Sequence, residues 1–166
     1  MAVPRKVLVL MGSDSDLPVM RKAEAVLKEF EIEYEMHVHS VHRVPEVALK
    51  KAANAESEGF GVIICGAGLA AHLAGAVAGK SNLPVIGVPL DSGPLKGLDA
   101  LLSTVQMPPG IPVATVAIGG ARNAAILAVR ILALSNQELR ERLRNFRENM
   151  TRDVLEKDRK LQEELG

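Results

Sequence analysis

Hydrophobic positions along the chain alternate between short continuous runs and helical stripes. KVLVLMG (Lys6–Gly12) is an apolar run closed by glycine, the pattern of a strand buried on both faces. After GSDSD, the residues Val19, Met20, Ala23, Val26, Leu27 and Phe30 recur at three- and four-residue spacing. That spacing predicts a helix, with Asp16 as its N-cap and Pro18 in its first turn. From Ile32 to His39 the chain alternates. Ile32, Tyr34, Met36 and Val38 share one face, and Glu33, Glu35, His37 and His39 the other. This predicts a half-exposed edge strand. Pro45–Glu58 reads as a second helix, and Gly61–Gly68 as a third strand that leaves through glycines. Leu69–Lys80 reads as a small-residue helix, with Leu83–Leu90 a fourth strand, Pro112–Ile118 a fifth and Ala121–Leu134 a buried helix.

Repeated strand–helix units with short connections predict an α/β fold, a parallel five-stranded sheet with helices on both faces. With the second strand at the edge, the expected order is 2-1-3-4-5. The segment between the fourth and fifth strands is long and rich in Gly and Pro, as lids and binding loops are. The last segment differs from the rest. Ser135 with Glu138 forms a candidate capping box, and Leu139, Leu143, Phe146, Met150 and Val154 make one narrow apolar stripe among charges. A helix of roughly 28 residues would run about 42 Å, against a body whose radius of gyration is about 14 Å. The chain is therefore expected to divide into a catalytic body, 1–134, and a helical extension, 135–166, of the same single-domain protein. The narrow stripe is read as a contact with a partner subunit rather than as a helix lying back over its own body.

Composition narrows the picture. The 166 residues suit one domain, and the core must be aliphatic, because only 2% of the chain is aromatic. Lys+Arg and Asp+Glu both number 20, so the balanced charge argues against a nucleic-acid partner, which favours a basic excess. Cys65, the single cysteine, cannot form an internal disulfide, so a reducing cytoplasm is the expected compartment. Met1–Lys6 is read as too short for a signal peptide. No apolar run approaches the roughly 18 residues of a membrane span.

Three segments follow the first three strands, where ligands of such sheets bind. GSDSD (Gly12–Asp16) offers backbone N–H groups and the hydroxyls of Ser13 and Ser15 at a helix start, either as a phosphate cradle or as a structural turn. SVHRVP (Ser40–Pro45) sets His42 beside Arg43. Histidine is the side chain that gains and loses a proton near neutrality, and arginine grips phosphate through paired hydrogen bonds. The plainer alternatives are a loop histidine bonded to a carbonyl and an arginine paired with a surface carboxylate. GAGLAAH (Gly66–His72) supplies a tight turn, open N–H groups and His72 in the first two turns of the next helix. His37 and His39 stand two apart on one strand face, with no cluster of further ligands to complete a metal site.

Taken in order, MGSDSD, SVHRVP, GAGLAAHLAG, LPVIGVPL, LKGLDALLSTVQMPPGIPVAT and NAAILAVRIL resemble the N5-carboxyaminoimidazole ribonucleotide mutase family over Lys6 to Leu134. The resemblance implies a flavodoxin-like three-layer domain assembled as a homo-octamer. It implies conversion of N5-carboxyaminoimidazole ribonucleotide to 4-carboxy-5-aminoimidazole ribonucleotide, a step of purine biosynthesis, without metal or organic cofactor. It implies His42 as the catalytic acid and base, and Ser13, Asp16 and Arg43 as substrate ligands. Gly12, Ser15, Ser40, Ala67, Gly68, His72 and Leu73 would complete the pocket. The family usually reads GAGGAAHLPG and SAHRTP, so Leu69, Ala74, Val41 and Val44 mark positions where this chain has its own residue or a variant one. Three other readings share the fold: a carboxylase that takes CO2 directly, a flavin or nucleotide carrier, and a ribotide-binding paralogue with weakened activity. The scarcity of aromatic residues disfavours the flavin carrier, and the His–Arg pair favours the mutase over the carboxylase, which usually carries His–Lys.

Overall fold

A computed structural model describes residues 6–166 of the chain. The signal-peptide reading of Met1–Lys6 falls almost wholly outside them. In chain order the elements are β1 (Lys6–Met11), a short 3-10 turn (Asp14–Asp16), α1 (Leu17–Glu29), β2 (Glu33–Val38), α2 (Pro45–Asn54), β3 (Phe60–Gly68), α3 (Leu73–Ala78), β4 (Val85–Leu90), α4 (Leu98–Val105), β5 (Ala114–Thr115), α5 (Ala121–Ala133) and α6 (Gln137–Leu165). The five strands form one all-parallel sheet in the order β2-β1-β3-β4-β5, as expected from the alternation of elements.

The pleat of β1 explains why its sequence is apolar throughout. Val7, Val9 and Met11 point into one core with Val62 and Ile64 of β3, under α1 and α5. Leu8 and Leu10 point the other way, with Ile63, Cys65 and Phe60, under α2 and α3. A strand covered on both faces has no polar side, so period-two alternation vanishes. β2 pairs only with β1, Leu8 lying opposite Glu35, and so keeps its alternation. Its polar face is not simply solvated. Lys51 of α2 reaches across to Glu35 (2.7 Å) and Glu58 (2.6 Å), and His37 bonds the same Glu35 at 3.1 Å. Cys65 is fully buried and its thiol is pushed well above its ordinary pKa by desolvation, which makes it an inert core residue.

Several boundaries differ from the sequence expectation. α2 stops at Asn54, and α3 begins at Leu73 rather than Leu69, because Leu69 takes a left-handed backbone (φ 54) that no α-helix continues. The Gly/Pro-rich connection before β5 is not all loop: it contains α4, which packs on β4 beside Gly87, where a side chain would strike Thr104. β5 shrinks to two residues, entered from Pro112, which has no N–H to give a ladder. Asp16 stands at the N-cap of α1 but makes no cap bond to it; its carboxylate turns back to the Ser13 N–H (2.9 Å) and closes a capping box around the 3-10 turn. At α6 the cap is Asn136, whose side chain accepts from the Leu139 N–H at 3.1 Å. Ser135 instead bonds back to Leu132 O, and Glu138 pairs with Arg142.

α6 is 29 residues long, about 43 Å at the helical rise. Its first turns are docked: Leu139 is buried, Leu143 and Phe146 pack on the core, and Phe146 meets Phe30 at 5.2 Å between ring centres. Arg142 ties it to Phe30 O and Glu31. Beyond Arg147 nothing is buried, and Met150, Val154, Leu155, Leu161 and Leu165 lie exposed. No helix among the described residues is long and apolar enough to cross a membrane.

Candidate active site

The carboxyl ends of β1, β2, β3 and β4 open on one side of the sheet, and the segments leaving them surround a cavity of about 380 Å3, within the usual range for small-molecule sites. From β1 come Gly12, Ser13, Ser15 and Asp16; from β2, Ser40, His42 and Arg43; from β3, Ala67, Gly68, His72 and Leu73. All eleven site residues named from the sequence therefore line one space. Val41, Leu69, Ala70 and Ser92 line it too. Ser92, in the segment after β4, was not singled out by any motif; its signal is only its place directly past a strand end. The approach is close, since a Cβ on Gly68 would lie 2.6 Å from Ser92 Cβ.

The β1 exit is a web of short-range bonds. Ser15 Oγ bonds Ser13 Oγ at 2.9 Å, and Asp14 accepts from the Ser15 N–H at 3.0 Å. Asp16 is buried, and desolvation raises its carboxyl above the usual range; the Ser13 and Gly12 N–H groups and the Arg43 charge offset part of that rise. The β2 exit turns sharply, with Val44 N–H on Ser40 O (2.8 Å) and Arg43 N–H on Ser40 Oγ (3.3 Å). The turn swings the Arg43 guanidinium over the β1 exit, where it bonds Gly12 O at 3.4 Å with donors to spare. A cationic fork above the Ser13 and Ser15 hydroxyls is suited to an anion such as phosphate, although the N–H groups of Gly12, Ser13, Ser15 and Asp16 are already bonded within the protein.

His42 and His72 come from segments thirty residues apart, and their rings meet edge to face. His42 Nε2 lies 2.9 Å from His72 Nδ1, with ring centres 5.0 Å apart. One ring donates and the other accepts, so only one proton occupies that bond, and a proton taken up by either ring can be handed to its neighbour. His72 reaches this position from the N-cap of α3, not from within its turns.

Leu69 lies at the mouth of the cavity, half-exposed and at φ 54. A left-handed leucine costs about 1–2 kcal/mol, and such strain persists only where the surroundings over-determine it. His37 and His39 stack beside each other at 4.8 Å outside the cavity. Among the described residues no three metal-ligating side chains are grouped as a site.

Comparison with known proteins gives concordant results. The family profile of AIR carboxylase matches residues 6–153. The N5-carboxyaminoimidazole ribonucleotide mutase of Pyrococcus abyssi is 58% identical over 89% of this chain and 84% of the relative. That of Saccharolobus solfataricus is 57% identical over 90% and 95%, and that of Mycobacterium tuberculosis 54% identical over 97% and 92%. The crystal structure of Treponema denticola PurE superposes with a TM-score of 0.86 at 32% identity, covering 94% of this chain and 98% of the other.

Proposed function

The chain belongs to the AIR carboxylase family, and from that premise we propose that it is an isomerase of purine biosynthesis, converting N5-carboxyaminoimidazole ribonucleotide to 4-carboxy-5-aminoimidazole ribonucleotide. The observation that carries this reading is the hydrogen-bonded His42–His72 pair, next to Arg43, at a cavity furnished with serine side chains. Arg43, with Ser13 and Ser15, holds the ribotide phosphate. Asp16 orders the cradle through the Ser13 N–H, and Ser40 shapes the turn that carries His42. In the reaction the carbamate C–N bond breaks, CO2 departs, and His42 gives a proton to the nitrogen. The nucleophilic ring carbon then attacks CO2, a C–C bond forms, and His42 removes the proton from that carbon. One residue acts first as acid and then as base, so the proton balance closes within the His42–His72 pair. Gly12, Ala67, Gly68 and Leu73 wall the space in which CO2 is retained.

The protein works in the reducing cytoplasm as a homo-octamer, with residues 135–166 contacting neighbouring subunits and 1–134 forming the catalytic body. Supporting this is the exposed apolar second half of α6. The test of the chemical assignment is His42→Asn. General acid–base catalysis contributes about 10²–10⁴-fold, so turnover is expected to fall by that factor while ribotide binding persists. Near-wild-type turnover would overturn the role of His42.

A further inference from the structure

Ser103 lies on α4, outside every strand-exit motif, yet its hydroxyl reaches the backbone of the segment between β3 and α3. Its Oγ accepts the Ala71 N–H at 3.2 Å and stands 3.4 Å from Leu69 O; it also meets Asp99 O one turn back in its own helix. The hydroxyl has a single proton, which serves one of the two carbonyls while a lone pair takes the Ala71 N–H. Among the described residues, no other side chain hydrogen-bonds the backbone of 69–71. This is the stretch that needs holding, because Leu69 sits in a left-handed conformation that a leucine does not keep unaided. The residue after the clamped Ala71 is His72, whose ring bonds His42.

We propose that Ser103 is a positioning residue for carboxyl transfer: by accepting the Ala71 N–H, two residues past the strained Leu69, it holds His72 in register with His42. The inference rests on the mutase reading given above. Ser103 touches neither the β1 exit nor the β2 exit, which carry Ser13, Asp16 and Arg43. The ribotide phosphate is therefore held independently of it, and its loss falls on the proton-moving pair alone. A serine whose role was only to bond back to Asp99 O within its helix would leave that pair undisturbed.

The experiment compares wild type with Ser103→Ala, Ser103→Cys and Ser103→Thr. Alanine favours a helix interior, and cysteine keeps the shape with a far weaker acceptor, so each checks the other for folding, read by thermal midpoint. Both are expected to lower kcat by about tenfold or more, with KM for the carbamate within about twofold of wild type. Ser103→Thr, which retains the hydroxyl, is expected to restore kcat. In parallel, imidazole nitrogen NMR of labelled histidines reads the His42–His72 bond without requiring turnover. Its signature is expected in wild type and Ser103→Thr and lost in the other two. An unchanged signature in folded Ser103→Ala and Ser103→Cys would overturn the inference, as would a rise in KM with kcat intact. If wild type failed to convert the carbamate, the mutase reading would fall, while the nitrogen signals would still decide whether Ser103 holds the pair.

Discussion

Replacing Gly68 by alanine tests whether the close approach of the β3 and β4 exits shapes the cavity. The added Cβ would stand 2.6 Å from Ser92 Cβ, nearer still to Ser92 Oγ, and 3.5 Å from Leu90 O. Only the last is a comfortable separation. Carbon atoms rest about 3.5 Å or more apart, so Ser92 must retreat by close to 1 Å, or β3 and β4 must part. Overpacking of this kind costs about 1–3 kcal/mol. For a chain of this size each kcal/mol lowers the thermal midpoint by about 2–4 °C, so a fall of about 2–12 °C is expected in a calorimetric or circular-dichroism melt. Ser92→Gly removes both offending atoms and leaves only the tolerable contact with Leu90 O. In a double-mutant cycle the pair should therefore be strongly non-additive, with Ser92→Gly recovering at least about 1 kcal/mol of what Gly68→Ala loses. A Gly68→Ala protein as stable as wild type, or a double variant whose losses simply add, would refute the steric account of this wall.

Two further predictions concern stability and assembly. Asp16 has a raised carboxyl pKa in the folded state, so its contribution to stability is fully present below its unfolded value and is lost as pH rises through the folded one. Asp16→Asn cannot ionise, so its urea midpoint relative to wild type should rise from pH 3.5 toward neutrality; a flat or falling difference would refute the burial argument. Glu24, Glu31 and Glu35, held below the usual range by Lys28, Arg142 and Lys51, act in the opposite sense in both proteins and cancel in the comparison. Truncation after Phe146, which keeps the docked turns of α6 and removes its exposed half, should reduce the assembly mass in light scattering; an unchanged mass would rule against subunit contact through that half.

The parts of the molecule legible in the sequence were those where one residue type answers one local demand. The doubly covered β1 reads as an unbroken apolar run, and β2 as an alternating edge, because the number of covered faces sets the pattern directly. The strand-exit segments were legible as glycine, serine and charge clusters at strand ends. What escaped required knowledge of neighbours. α4 hides in a Gly/Pro-rich stretch because it is only eight residues long, starts at a left-handed Gly97, and exposes Leu98, Leu102 and Val105. Ser135 and Asn136 are both good caps by residue type, and the choice shows only in the backbone, where Asn136 takes the extended conformation from which its side chain meets the Leu139 N–H. The His42–His72 and Ser103–Ala71 bonds join residues about thirty positions apart, a juxtaposition that no local spacing encodes.

The most direct test of the central claim is turnover of N5-carboxyaminoimidazole ribonucleotide by the purified protein, without added bicarbonate, alongside aminoimidazole ribonucleotide with bicarbonate. The account predicts that the carbamate is converted to 4-carboxy-5-aminoimidazole ribonucleotide in the first reaction. Product appearing only from aminoimidazole ribonucleotide and bicarbonate would contradict it and make the protein a carboxylase.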